Sequence, residues 1–268
     1  MISSDTEFAG SIPAAYDRYM VPMLFEPYAQ DLALRAAALG PGRILEIAAG
    51  TGVVTRALLA VMPDAEIVAT DLNQPMLDVA ASRIDAPNVT FRQADAQALP
   101  FDDAGFEAVV CQFGVMFFPD RVAAYREARR VLKRGSRFLF NSWNRVEENE
   151  LTLILAGTLT ALLPDDPPSF YRRIPFGYDD KDRIRADLEQ AGFDDISIET
   201  VAMRSRIGSA RDAAIGICLG SPMRSELEER APGRLGDVVE AVADALDRSC
   251  GPDGVDLPMS AHVISARA

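Results

Sequence analysis

Three acidic residues stand where short apolar runs give way to loops. Glu46 lies near the end of Arg43-Ile-Leu-Glu-Ile47, Asp71 closes Ile67-Val-Ala-Thr-Asp71, and Asp95 follows Val89-Thr-Phe-Arg-Gln93. Between the first two lies Ala48-Ala-Gly-Thr-Gly52, a loop of small residues. Gly50 and Gly52 let a backbone turn sharply and let a ligand lie against it. A helix beginning near Val53 adds free N–H donors at its N-terminus. Together these features describe a site for a nucleotide-like ligand. The dinucleotide fingerprint Gly-x-Gly-x-x-Gly, counted from Gly50, meets Thr55 where its third glycine belongs, and no Gly-Lys-Ser/Thr follows the loop. Glu46 narrows the choice further. A carboxylate beside a pyrophosphate is unwelcome, whereas it suits a ligand with positive groups.

S-adenosylmethionine is such a ligand, with an ammonium and a sulfonium. Asp71 at a strand end can accept two hydrogen bonds from vicinal ribose hydroxyls. Asp95 at the tip of the next strand can accept from an exocyclic adenine amine. Gln112 and Phe113 stand at the tip of the fourth, in Val109-Val-Cys-Gln-Phe113.

The elements that must position these residues alternate. Strands are expected over 43–47, 66–70, 89–94, 108–112 and 137–141, and helices over 53–62, 75–83 and 121–132. Such alternation means βαβ units and a parallel sheet covered on both faces. After Asn144 the rhythm weakens. Residues 151–163 and 181–191 read as helices, 196–203 as a strand, and 209–250 as helices broken at Gly220-Ser221-Pro222 and Pro232-Gly233. A last strand falls within 255–266. No repeat and no clean linker interrupts the chain. It reads as one domain, 1–268, with a core of about 41–144, 180–208 and 258–268 and a helical cap from 1–40, 145–178 and 209–255.

In order and spacing, these motifs resemble the class I S-adenosylmethionine-dependent methyltransferases, in particular the small-molecule type that includes the ubiquinone and menaquinone C-methyltransferases. The resemblance covers roughly Tyr16 to Trp143. Glu46-Ile-Ala-Ala-Gly-Thr-Gly52 matches the family's first motif, with Ala48 in place of its first glycine. Asp71 matches the ribose-binding acid, Met76 an apolar residue that packs on adenine, and Asp95-Ala96 the adenine-binding pair. The resemblance implies a Rossmann-like, doubly wound α/β fold. Its seven-stranded, mostly parallel sheet has an antiparallel last strand, and helical cap elements are added to it. It implies cofactor contacts from Glu46, Ala48, Gly50, Thr51 and Gly52 in the loop, from Asp71, Leu72 and Met76 after the second strand, and from Asp95, Ala96, Gln112 and Phe113 beyond. It implies methyl transfer to a small acceptor by in-line attack, with catalysis mainly by positioning. No catalytic base is identified. Tyr16, Tyr19 and His262 are weak candidates, and each fits a packing role equally well.

Composition sets the outer limits. The 268 residues are 49% hydrophobic and 25% charged, an ordinary globular balance. A net charge of −13 disfavours nucleic-acid phosphates and anionic lipid as partners. No Asn-Pro-Pro-Tyr or Asp-Pro-Pro-Tyr string for flipped bases is present; Asp166-Pro-Pro-Ser169 lacks the aromatic. Three cysteines without CxxC spacing and a single histidine argue against a disulfide framework or a metal site. A reducing, cytoplasmic location, without signal peptide or membrane span, is the expectation. Two other readings stay open: a nicotinamide-dependent oxidoreductase, and a protein that binds S-adenosylmethionine without catalysis.

Overall fold

A computed structural model describes residues 4–268; residues 1–3, the start of the expected cap, lie outside them. The chain forms two compact units. A sheet unit comprises Tyr28–Trp143, Tyr178–Val201 and Ala261–Ala268. A helical unit comprises the residues up to Pro27, Asn144–Gly177 and Ala202–Ser260.

The sheet unit is built on β1 (Arg43–Ile47), β2 (Glu66–Asp71), β3 (Val89–Gln93), β4 (Phe106–Gln112) and β5 (Leu132–Trp143), joined by β6 (Asp194–Ile207) and β7 (Val255–Arg267) in the order β3-β2-β1-β4-β5-β7-β6. β1 pairs in parallel with β2 and β4, and β7 runs antiparallel to β5, as the resemblance implies. Strands covered on both faces must be apolar throughout. Ile44, Leu45, Val109, Val110, Phe138 and Phe140 are accordingly buried. The strand order reverses between β1 and β4, and in such sheets the crevice for a ligand opens at the C-terminal ends of the strands at that point.

The connecting helices are set by local chemistry. Gly52 adopts φ +80° and starts Val53–Val61, whose Val54 and Leu58 are buried. Pro75 sits in the first turn of Gln74–Arg83, where its missing N–H costs nothing. Asp120 caps Arg121–Val131 by accepting from Ala123 N, and Asp180 caps Lys181–Gln190 through Asp182 N. Two strands are longer than expected. β5 begins at Leu132 rather than 137, and β6 runs to Ile207 rather than 203.

The helical unit contains Glu150–Leu162, Phe170–Arg173, Ala210–Leu219, Met223–Arg230 and Leu235–Cys250, broken at the two glycine-proline sites that the sequence marks. Near its start, Tyr16–Phe25 is a π-helix with Pro22 inside it. A proline cannot donate to an α-helical ladder, and a wider turn accommodates that loss. Asn149 fastens this unit to its own strand end: its Nδ2 donates to Ser260 O at 3.2 Å while Ser260 N donates to its Oδ1 at 3.1 Å. Among the described residues, no helix is long and apolar enough to cross a membrane.

Candidate ligand-binding site

The site residues converge at the C-terminal ends of β1 and β2. Glu46 lies between Ala69 of β2 and Val110 of β4 and is 1% exposed. Its Oε2 accepts from Thr55 Oγ1 at 2.5 Å, and burial pushes its carboxyl up to about 8. The Thr55 hydrogen bonds and the positive charge of Arg56 pull it back only in part. Asp71 is also buried. Its Oδ2 accepts from Gly50 N at 2.9 Å and its Oδ1 from Asn73 N at 2.8 Å. Burial raises its carboxyl, and these backbone donors pull it back. Two desolvated carboxyls on neighbouring strands, their burial outweighing the pull of Arg56, make a place suited to positive charge and to hydroxyl donors.

The loop between them is held by backbone bonds. Ala49 N donates to Thr70 O at 2.8 Å and Gly52 N to Ala49 O at 2.9 Å. Ala48 and Gly50 both have φ +56°. Gly52 is glycine for a further reason: a Cβ there would lie 2.8 Å from Ile84 Cδ1 and 3.1 Å from Ala80 Cβ, so it also lets the loop close against Gln74–Arg83. Thr51 is fully buried, and among the described residues its hydroxyl has no hydrogen-bond partner.

Further residues flank this core. Met76 and Ala96 are buried, and Leu72 is half-buried. Asp95 is exposed and accepts from Gln97 N at 2.8 Å, which closes the turn after β3. Gln112 ends β4, in register with Asn141 of β5. Phe113 has φ +50°, and its ring lies flat on Trp143 at 3.9 Å with Tyr28 edge-on at 5.3 Å. This aromatic cluster occupies the side chain that the motif reading assigns to the cofactor.

His262 is turned elsewhere. The register aligns Glu46, Val110, Leu139 and Ser265 on one face of the sheet. His262 is an odd number of residues from Ser265 and faces the other way. Its Nδ1 meets Thr200 Oγ1 at 3.1 Å and its Nε2 meets Asp179 O at 2.9 Å. With both ring nitrogens engaged and burial lowering its pKa, His262 packs the sheet and is not placed to take a proton. Tyr16 and Tyr19 belong to the helical unit and are half-buried. Tyr16 stacks on Phe25 at 5.0 Å, and Arg18 lies 5.1 Å from the Tyr19 ring centre.

Sequence reading missed Thr55, the partner of Glu46, and Asn141, a fully buried amide whose side-chain atoms have no hydrogen-bond partner among the described residues. Thr55 carries a usable signal, being the first hydroxyl one turn into the helix after the loop. Asn141 is visible only as a polar residue inside an apolar strand.

Comparisons with known proteins agree with this geometry. Residues 44–135 match a family described as a methyltransferase domain. A ubiquinone/menaquinone biosynthesis C-methyltransferase of Pseudomonas aeruginosa is 33% identical over 170 residues, 58% of this chain and 66% of that protein. A demethylmenaquinone methyltransferase of Thermus thermophilus is 43% identical over 113 residues, 41% of this chain and 50% of that one. The chain thus spans from half to just under two thirds of the length of these relatives. Among solved structures, a phosphoethanolamine N-methyltransferase 2 of Haemonchus contortus in complex with S-adenosyl-L-methionine aligns with a TM-score of 0.61 at 16% identity, covering 100% of this chain and 60% of that one, a likeness of fold.

Proposed function

Residues 44–135 match the methyltransferase domain family, and from that match we propose that the chain transfers the methyl group of S-adenosylmethionine to a small organic acceptor. The observation that carries the reading is Glu46, a buried carboxyl beside a glycine loop, whose burial outweighs the pull of Arg56. Its chemistry fits the cofactor's positive groups and disfavours the pyrophosphate of a nicotinamide dinucleotide. Asp71 fits the ribose, because Oδ2 has two lone pairs and can accept a second donor beside the Gly50 N–H. Thr51 and the first turn of Val53–Val61 add N–H donors at a helix N-terminus.

Bound S-adenosylmethionine supplies an electrophilic methyl group on a sulfonium. The chain then has to hold the acceptor in line and keep water out. Glu46 and Asp71 hold the two ends of the cofactor, and Met76 and Ala96 supply apolar surface for the adenine, with Asp95 at its amine. Leu72, Gln112 and Phe113 complete the set. A dedicated base is not needed for an acceptor that is already nucleophilic; Tyr16 and Tyr19 stay weak candidates from the sequence, and His262, with both ring nitrogens engaged, is set aside. Release of S-adenosylhomocysteine in a screen of phenols, quinones and small acids tests this proposal. Turnover with one of them is expected, and binding without turnover on any acceptor would point instead to a cofactor-binding protein.

A further inference from the structure

The turns that end β1 and β4 meet at one point. Ala48, with φ +56°, occupies the position where the resembled family carries glycine. An L residue in this conformation is strained, so a methyl group there needs a reason. Gly114 provides it. Its own backbone is ordinary, φ −101° and ψ −33°, and any residue could adopt it. What forbids a side chain is space: a Cβ on Gly114 would lie 2.5 Å from Ala48 Cβ and 2.8 Å from Cys111 Sγ. The Ala48 methyl therefore fills the place that Gly114 leaves empty.

Gly114 follows Phe113, which is itself strained at φ +50° and stacked on Trp143 at 3.9 Å and 10°. Two strained non-glycine residues, one on each side of the sheet's reversal point, are thus joined through one methyl–glycine contact. We propose that Ala48 is a positioning residue whose methyl group locks the Phe113-Gly114 turn to the loop Ala48–Gly52, so that both turns are preset for the cofactor. The proposal rests on the cofactor reading given above.

The test separates this role from a merely structural one. Glycine relieves the strain at position 48, so Ala48→Gly should leave the melting temperature unchanged or higher. If the methyl is a lock, the same variant should bind S-adenosylhomocysteine about fourfold more weakly, the factor one buried methyl's worth of contact carries. It should also change the near-ultraviolet dichroism of Trp143, the chain's one tryptophan, which reports on the Phe113 stack. Gly114→Ala should weaken binding more. Adding Ala48→Gly to it in a Cys111→Ala background, which clears both close contacts, should restore binding towards the wild-type value. Unchanged affinity and dichroism in Ala48→Gly, or no recovery in the combined variant, would overturn the proposal. Failure of the wild-type protein to bind would instead sink the cofactor reading and this role with it, while the dichroism of Ala48→Gly would still report whether the two turns are coupled.

Discussion

The ends of β1, β2 and β4 differ from the body of the helical unit in backbone strain, while both regions bury polar groups. At the strand ends, Glu46 and Asp71 are buried as acids, Ala48 and Phe113 hold left-handed backbone, and Thr51 leaves a buried hydroxyl without a hydrogen-bond partner among the described residues. In the helical unit, buried Tyr171 donates to Ile217 O at 2.8 Å and Asn149 exchanges two bonds with Ser260. Its Arg211–Glu240 ion pair lies in solvent, where it adds little. The left-handed non-glycine residues Ala48, Ala104, Phe113 and Asp195 all lie in the sheet unit, two of them at the strand ends that carry the site, whereas buried polar groups such as Asp17 and Ser205 occur in the helical unit as well. Backbone strain beside a buried acid is therefore a better pointer to the site than a buried polar group alone.

Four substitutions or conditions can break this contrast. The largest effect is expected for Asp71→Ala. Hydrogen bonds from a carboxylate to ribose hydroxyls are worth about 1.5–3 kcal/mol each, so losing two weakens S-adenosylhomocysteine binding roughly 100-fold or more. Because Asp71 also holds Gly50 N and Asn73 N, Asp71→Asn should be titrated beside it, with circular dichroism confirming the fold. Near-normal affinity in both would remove Asp71 from the site.

Next comes Gly52→Ala, a change of packing and backbone. Left-handed backbone costs a non-glycine residue about 1–2 kcal/mol and overpacking about 1–3 kcal/mol, so a loss of roughly 2–5 kcal/mol in urea denaturation is expected. A loss below 1 kcal/mol, against that range, would mean that the loop relaxes freely away from Ile84 and Ala80.

The third is a pH effect. Glu46 titrates near 8 in the fold and near 4.5 when unfolded, so between those values the folded chain binds the extra proton. The unliganded protein should therefore lose stability as pH rises from about 5 to 8. A cationic ligand favours the charged carboxylate, so affinity should rise over the same window, by up to about tenfold per pH unit. Glu46→Gln should flatten both slopes; slopes that persist would assign the titration to another group.

The smallest effect belongs to the helical unit. Tyr171→Phe removes two buried hydrogen bonds, to Ile217 O and with Ser221 Oγ, and should cost about 1–2 kcal/mol in denaturation without altering cofactor affinity. A change in that affinity would blur the contrast between the regions.

Much of the sheet unit was legible because periodicity alone distinguishes a buried strand from an amphipathic helix. β1 was placed at both ends, and Asp71 and Glu46 were recognised from their positions at strand ends. The helical unit was harder. Its first boundary falls at Pro27, inside a helical stretch that continues through Glu26–Ala37, so no linker marks it. The helix carries Tyr28, whose ring meets Phe113 and Trp143, and packing of that kind leaves no local trace in the sequence. The π-helix around Pro22 was equally invisible, since proline normally signals a stop. At the site, Gly52 was read for its backbone freedom when close packing also requires it. His262 drew attention because it is the sole histidine, although rarity says nothing about which face of a strand a residue occupies.

Isothermal titration calorimetry with S-adenosylhomocysteine, on protein shown by mass spectrometry to be free of co-purified ligand, tests the central claim most directly. The account predicts saturable binding at one site in the wild-type chain, weakened by Glu46→Gln and weakened further by Asp71→Ala. The absence of any binding heat across temperatures, in folded and ligand-free protein, would contradict it.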